Sequence, residues 1–358
     1  DIECRGIPWM SGDEGVGGRS ELPRRSRREA ALGVGARLSR FLARPDDAVL
    51  RSTCMPWRSE VRVQLALRQF PVLWTHIPLE GVEVAPDQQL RDWSVRELGR
   101  ERFEDLVRRW ISDYLPTSYL EGYQDLLKAT ESSGLPDRPK VIFTSNAHFS
   151  DEVFKAWTAE RVERGAPLMI GQHGGHSGVG RFSATNDHEV AISDRFASWG
   201  WSNGQSRSVV AVGQLKGFRP TGQRDSGGQR DSGNLSVLLM LNVLARYGYS
   251  LYDVPVAGQW LDYFADQCAF VDSLSNDVRQ QLSVRLFEQD FGWDQEQRWR
   301  ERYPDLTYES SADDLQSSLS RTRVAVSTYN GSSFLETISM AMKDRYPFAG
   351  LRERTGYL

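Results

Sequence analysis

Histidine and glycine are concentrated in one stretch of the sequence, residues 139–201, which contains four of the five histidines. His173 and His176 lie in a loop, residues 172–180, that also holds four glycines. A neutral imidazole with a pKa of about 6.5 can accept a proton or orient a substrate oxygen. We therefore expect His173 to act as a general base or to contact a phosphate, in preference to packing in the core.

Short apolar runs precede the polar loops of this stretch. Residues 141–145 and 168–171 predict buried strands of a parallel β–α–β unit, and a third strand is expected at residues 189–193, ending in Asp194. The carboxyl ends of parallel strands meet at one edge of the sheet, where ligands bind. The residues expected at this rim are His173 and Asp151 as catalytic groups and, as binding groups, Asn146, His148, Gln172, Gly174, Gly175 and His176.

A helix is expected directly after the first polar loop, with Ser150 as its N-cap and Asp151 in its first turn. Asp151 therefore has two interpretations. It is either a base at the rim or an acid that the helix dipole favours in a first turn. The sequence leaves both open.

A second candidate site lies near the C-terminus, where an apolar strand at residues 324–327 leads into the segment TYNGSS and then a helix at residues 334–342. Backbone N–H groups at a helix N-terminus bind anions, and small residues allow close approach. We expect a phosphate here, bound by Asn330, Ser332 and Ser333, with Glu336 accepting hydrogen bonds from a ribose. Ser333 and Glu336 equally fit a capping box that serves only their own backbone.

A metal site is the alternative use of the histidines. His173 and His176 form H-x-x-H, which with His148 or His188 has the composition of a zinc site. The glycines of the loop and the lack of an H-E-x-x-H helix argue against it. The acidic pairs at residues 46–47 and 313–314 do not form D-x-D. We therefore predict neither a catalytic metal nor a cofactor.

Composition narrows the function classes. The chain has 358 residues, a net charge of −4 and three widely separated cysteines. This favours a cytoplasmic protein and does not suggest nucleic acid as a partner. No run of 18 apolar residues is present, so no transmembrane segment is predicted. A basic cluster at residues 19–28 fits a solvated segment better than an electrostatic arm.

Four segments are predicted along the chain. Residues 1–45 are expected to be poorly structured, residues 46–215 to form an N-terminal Rossmann-like domain, and residues 235–358 to form a second one that binds the donor. Between them, residues 216–234 contain GQRDSG twice in succession, which is typical of a flexible linker. The predicted class is α/β, with two Rossmann-like domains facing a cleft.

Several long segments together resemble a bacterial family of transferases encoded among surface-polysaccharide genes. The segments are LPTSYLEGYQDLL, PKVIFTSNAHFSDEVFKAW, GAPLMIGQHGGHSGVGRFS, DHEVAISDRFASWGW, RYGYSLYDVPVAGQW, FGWDQEQRWRERYPDL and STYNGSSFLETIS, within residues 47–340. That family looks like a divergent branch of the glycosyltransferases with the B-type fold (GT-B), which work without a catalytic metal. The resemblance implies that Arg246 and residues 330–336 bind a nucleotide-sugar donor, and that acceptor chemistry occurs near Gln172, His173 and Gly174.

The resemblance also implies a glycan or lipid-linked glycan as acceptor, and a location free in the cytoplasm or peripheral at the inner membrane. Two departures are expected to matter. Residues 1–45 do not fit the family pattern, and after residue 340 the pattern is replaced, which predicts an incomplete donor domain. The first hypothesis is therefore a metal-independent glycosyltransferase. The alternatives are a degenerate nucleotide-sugar-binding module and a zinc-dependent hydrolase.

Overall fold

The computed structural model describes eleven parts of the chain: residues 42–75, 77, 84–95, 103–180, 183–202, 208–216, 236–246, 258–287, 289–310, 315–329 and 331–345. Its helices and strands are β1 (Val49–Arg51), α1 (Trp57–Ala66), α2 (Gln88–Arg91), α3 (Phe103–Tyr114), a 3-10 turn (Thr117–Tyr119), α4 (Tyr123–Glu131), β2 (Ile142–Thr144), α5 (Ala147–Ser150), α6 (Glu152–Glu163), β3 (Leu168–Gly171), α7 (Ala184–Ile192), β4 (Arg195–Ser198), β5 (Val209–Ala211), β6 (Val237–Met240), α8 (Gln259–Ser273), α9 (Asn276–Arg279), β7 (Leu282–Leu286), α10 (Gln295–Arg302), β8 (Thr307–Ser310), α11 (Leu315–Arg321), β9 (Val324–Ser327) and α12 (Ser332–Arg345). The α/β class with parallel sheets is confirmed.

The first sheet contains β1 to β5 in the order of the sequence, β1-β2-β3-β4-β5, with every described ladder parallel. Its strands are short apolar runs because parallel strands are covered on both faces. Ile142 and Ile170 of the central strands pack with Phe154 and Trp157 of α6 in one core. The strand order never reverses within this sheet, so its described strands contain no topological switch point.

The second sheet has the order β8-β7-β6-β9, again parallel in its described ladders. On one face, Leu239 and Val284 pack against α8 and α10. On the other face, Leu238 and Met240 pack against Leu319 of α11. The chain steps outward from β6 to β8 and then returns to the other side of β6. The carboxyl ends of β6 and β9 therefore enclose a switch point, which is where open α/β sheets bind ligands.

The predicted strand at residues 189–193 is wrong, because these residues belong to helix α7 and to its C-terminal boundary. Ser183 caps this helix by accepting a hydrogen bond from the Asn186 N–H at 3.3 Å. The strand follows as β4. Asp194 lies at its start, not at a carboxyl end, and its carboxylate accepts a hydrogen bond from the Leu168 N–H at 2.8 Å. The apolar residues 190–192 form the last turn of a partly exposed helix and not a strand.

The predicted N-cap at Ser150 is also wrong. Ser150 ends the short helix α5, and Asp151 caps α6 by accepting a hydrogen bond from the Phe154 N–H at 3.1 Å. The predicted linker repeats, residues 222–233, lie outside the described residues, as does most of the segment at residues 1–45. Among the residues that are described, none of the helices combines the length and apolar character that crossing a bilayer requires.

The motif SYLEGYQDLL has a structural role in the first half of the chain. The two carboxylate oxygens of Glu121 accept hydrogen bonds from Nε and Nη2 of the buried Arg91 guanidinium, at 2.6 Å and 2.8 Å. Arg91 also donates to three carbonyl oxygens at the end of α3, those of Ser112, Asp113 and Leu115. The hydrogen bonds from Arg91 lower the pKa of Glu121 to about 2. One ion pair thus ties the end of α3 to the segment before α4.

We expect Glu121→Gln to destabilise the fold, because it leaves the buried Arg91 charge uncompensated. The folded-state pKa of Glu121 is lowered, so its stabilisation is fully present above its unfolded pKa of about 4.3 and is lost as the pH falls toward about 2. The free energy of unfolding in urea should differ most from the parent near neutral pH, and the difference should shrink below about pH 4. Glu131→Gln, at an exposed position of α4, is the control. A difference that does not change with pH would contradict the assignment.

Candidate functional site

Two histidines of the predicted rim meet a carboxylate that the sequence did not single out. Nε2 of His148 lies 3.1 Å from Oε1 of Glu189, and Nδ1 of His173 lies 3.5 Å from the same oxygen. His148 is positioned by α5 after β2, His173 by the loop after β3, and Glu189 by the buried face of α7. The Glu189 side chain is 0% exposed. The structure therefore brings together three elements around one buried negative charge.

His173 is the member of this cluster that reaches the surface. Its side chain is 30% exposed, and the edge of the exposed Phe149 ring packs against it at a centroid distance of 5.4 Å. Burial lowers the pKa of His173, Glu189 raises it, and the electrostatic effects of His148 and Lys216 lower it further. The net direction is downward, so the imidazole is neutral at pH 7 and able to accept a proton.

Asp151, the second predicted catalytic group, is engaged within the protein. Oδ1 accepts the capping hydrogen bond from Phe154, and Oδ2 pairs with the Arg51 guanidinium at 3.0 Å. Its side chain is almost completely buried. These contacts favour the second interpretation of Asp151, as an acid at the start of a helix, over a catalytic base. Asp151 therefore has no role in the reaction proposed below.

Gln172 is buried and holds the glycine-rich loop in place. Its amide donates to the Gly174 carbonyl at 2.6 Å, and its oxygen accepts from the Trp199 N–H and the Trp201 indole. The Trp201 ring also packs on Gly178, where a Cβ would lie 2.5 Å from the ring and where φ is +78°. Gln172 therefore orients the loop that carries His173 and is accounted for by contacts within the protein.

The remaining residues of the predicted rim have separate places. Asn146 is exposed and donates to the sulfur of Cys54 at 3.6 Å, across the carboxyl ends of β1 and β2. The exposed ring of His176 lies against Gly180, where a Cβ would be 2.6 Å from Nε2. Gly174 has open space around it, whereas Gly175 is buried.

A cavity of about 350 Å³ occupies the switch point of the second sheet. Leu241 and Tyr329 line it from the ends of β6 and β9, and Arg285 lines it from β7. The buried Arg285 side chain is held by the Ser318 hydroxyl at 3.3 Å and lies 3.8 Å from Glu309. The volume is within the range of small-molecule sites, and a guanidinium in the wall favours an anionic ligand.

The predicted phosphate positions line the same cavity. Ser332, Ser333 and Glu336 lie on the first turn and a half of α12 and line the same cavity as Arg285. The Ser333 hydroxyl donates to the Tyr329 hydroxyl at 2.7 Å. Ser333 lies within the helix, so the capping box that it could have formed with Glu336 is not made. Asn330 lies outside the described residues.

Lys216, which the sequence did not single out, connects the two halves of the chain. It follows β5 of the first sheet, and its ammonium donates to the Ser332 hydroxyl at 3.0 Å and lies 3.4 Å from Glu336 of α12. The same ammonium is close enough to His173 for its charge to lower the pKa of that imidazole. The Lys216 ammonium therefore acts on His173 at the rim and also contacts residues that line the cavity.

Arg246 is not among the residues that line the cavity. Its guanidinium lies over the Trp293 ring, 5.4 Å from the ring centroid, and donates to the Gly292 carbonyl at 3.2 Å. The resemblance implied a donor contact at this position. In the structure, Arg285 is the arginine placed at the cavity, and a buried arginine within an apolar strand is the sequence signal that would have pointed to it.

No group of three or more His, Cys, Asp or Glu side chains is arranged to hold a metal ion within the described ranges. The zinc alternative needs three such ligands near His173. Glu189 was not predicted as a site residue for a different reason. The sequence predicts a strand at residues 189–193, whereas Glu189 lies on the buried face of a helix, where its carboxylate contacts the histidines.

The fold and the site define the class of the protein: an α/β protein with parallel sheets and polar groups gathered at the carboxyl ends of its strands. The chain belongs to the LIC12162 family transferases, whose family model matches residues 21–342. Membership of a transferase family is therefore confirmed. The match begins at residue 21, so part of the N-terminal segment that was expected to fall outside the family pattern lies within it. No curated protein and no solved structure matches the chain.

Proposed function

We propose that this transferase is a glycosyltransferase that moves a sugar from a nucleotide-sugar donor to a surface-polysaccharide acceptor. The observation that carries the proposal is Lys216, whose ammonium contacts Ser332 and Glu336, two residues of the cavity wall, and whose charge also lowers the pKa of His173. A donor in the cavity and an acceptor at His173 would therefore lie on either side of Lys216. This is the relation that a cleft between two Rossmann-like domains, the GT-B arrangement, would create.

The donor part of the proposal rests on charge. A nucleoside diphosphate is anionic, and the cavity offers the Arg285 guanidinium together with the N-terminal turn of α12, whose backbone dipole favours negative charge. Lys216, which is not itself part of the cavity wall, places a second cation beside Ser332 and Glu336 of that wall. Glu336 accepts a hydrogen bond from a ribose hydroxyl in this arrangement. Binding of the leaving phosphate in this way does not call on a metal.

The transfer step assigns a proton to His173. Nε2 accepts the proton of an acceptor hydroxyl as its oxygen attacks the anomeric carbon of the sugar, and the bond from that carbon to the donor phosphate oxygen breaks. The negative charge that develops on the leaving phosphate is stabilised by Arg285, Lys216 and the N-terminus of α12. A glycan or lipid-linked glycan acceptor, and a location in the cytoplasm or peripheral at the inner membrane, stay predictions.

A nucleotide screen with a Glu336 variant tests the donor site. We expect one of UDP, GDP, CMP or their sugars to raise the melting temperature of the parent, because a ligand that binds only the folded state stabilises it. Glu336→Ala should lose most of that rise because it removes the proposed ribose contact. Glu301→Ala, at an exposed position of α10, is the control and should keep it.

Two results of the screen would count against the proposal. If no nucleotide or nucleotide sugar stabilises a demonstrably folded parent, the donor class is wrong. If a nucleotide sugar binds but is never turned over with any glycan acceptor offered, the chain is a nucleotide-sugar-binding module and not a transferase of sugars.

A further inference from the structure

The carboxylate of Glu189 is buried with few groups to neutralise it. Its side chain is 0% exposed, and Oε2 has no hydrogen-bond partner among the described residues. Oε1 is approached by His148 at 3.1 Å and by His173 at 3.5 Å. A buried carboxylate without donors is strongly disfavoured, so the proton positions on these two imidazoles are the means by which its charge is satisfied.

The geometry selects one tautomer of His173. With the proton on Nδ1, an N–H points toward Glu189. With the proton on Nε2, the lone pair of Nδ1 would face the carboxylate oxygen at 3.5 Å, which is repulsive. Nδ1 makes no hydrogen bond to any described residue, and its 3.5 Å approach to Glu189 is an ion-pair distance only. Catalytic hydrogen bonds are often long before substrate binds, so this spacing suits a contact that shortens when substrate binds.

We propose that Glu189 is the positioning residue of His173: it holds the imidazole in the Nδ1–H tautomer, so that Nε2 presents a lone pair to the substrate. Nδ1 of His173 is buried while the side chain as a whole is 30% exposed, so the exposed part of the ring lies away from Nδ1. His148 is the second imidazole in contact with Glu189. The neighbouring titratable groups are His148 on α5, Glu189 on α7 and Lys216 after β5.

This contact links the motif DHEVAISD, which contains Glu189, to the glycine-rich loop, which contains His173. Glu189 is buried on helix α7 and does not reach the open rim, but the orientation of the base depends on it. A carboxylate behind an imidazole is a recurring device for fixing which nitrogen carries the proton. The catalytic consequence rests on the proposed function of His173 as a base, whereas the tautomer itself is a property of the protein without substrate.

The test is the tautomer of His173 in protein labelled with ¹⁵N-histidine, read from long-range ¹H–¹⁵N correlations above the His173 pKa. His173→Gln assigns the signal by its disappearance. We expect the parent to show the Nδ1–H pattern and Glu189→Met, which leaves no oxygen to accept from Nδ1–H, to shift His173 to a mostly Nε2–H pattern. Glu163→Gln, at an exposed position of α6, should leave the spectrum unchanged.

Two outcomes overturn the inference. One is an Nε2–H pattern for His173 in the parent, which needs no variant and is decisive even if Glu189→Met fails to fold. The other is an unchanged Nδ1–H pattern in a folded Glu189→Met protein, which would leave Glu189 with a structural role only. If the tautomer shifts as expected but no nucleotide sugar is turned over, the proposed function fails while the role of Glu189 stands.

Discussion

Replacing His173 by alanine should reduce sugar transfer by about 10² to 10⁴-fold in kcat, the range that general acid–base catalysis contributes. The loss should fall on kcat and not on donor affinity, because His173 does not line the cavity at the second sheet. The measurement is the initial rate of nucleotide release from the donor that stabilises the parent, with the dissociation constant of that donor measured in parallel.

The pH dependence of the parent gives an independent check of the same residue. The neutral imidazole is the active form of a base, and the pKa of His173 is lowered from its ordinary value of 6.5 by burial. Activity should therefore be constant around pH 7 and fall only as the pH drops through a value below 6.5. His188→Ala, one position before Glu189 on the exposed face of α7, is the matched control and should keep full activity. A rate that still declines below pH 6.5 in His173→Ala would assign the base to another group.

Replacing Arg285 by methionine should weaken nucleotide binding by about 10 to 10²-fold, because a hydrogen bond to a charged group contributes roughly 1.5–3 kcal/mol. Methionine keeps an unbranched apolar side chain of similar length on β7 and removes only the guanidinium from the cavity wall. Titration calorimetry with the stabilising nucleotide measures the change, and circular dichroism checks that the sheet is retained.

Arg321 provides a closely matched control for Arg285. Both arginines lie 3.8 Å from the carboxylate of Glu309, but Arg321 is 64% exposed on α11 and does not line the cavity. Arg321→Met should therefore bind nucleotide as the parent does. Equal weakening in both variants would indicate that Glu309 is responsible, and unchanged binding in a folded Arg285→Met protein would place the donor elsewhere.

The individual strands could be read from the sequence because the signal for each is local. Residues 141–145, 209–212 and 282–287 are short apolar runs, and each contains a strand of the structure. Buried parallel strands are apolar along their whole length, so no tertiary information is needed to find them. The wrong prediction at residues 189–193 has the same origin, because a short apolar run fits a strand and a partly buried helix equally well.

The site could be predicted only in part. The strand-end rule correctly brought His148 and His173 to one rim, and the helix N-terminus rule brought Ser332, Ser333 and Glu336 to one cavity. The rule failed where a side chain has a competing partner nearby. Asp151 meets Arg51, from a strand 100 positions earlier, and Gln172 meets the Trp201 indole. A sequence shows that a side chain can bind, but not whether the fold already occupies it.

The sequence by itself determined the α/β class, the parallel strands and the two polar loops, since each depends on the spacing of neighbouring residues. Only the tertiary structure decided that β9 lies beside β6 and creates a switch point, that Glu189 faces two histidines, and that Lys216 reaches α12. Each of these relations joins residues distant in sequence. Their distance in space depends on the order of strands in a sheet and on the packing of the helices between them, which no local pattern encodes.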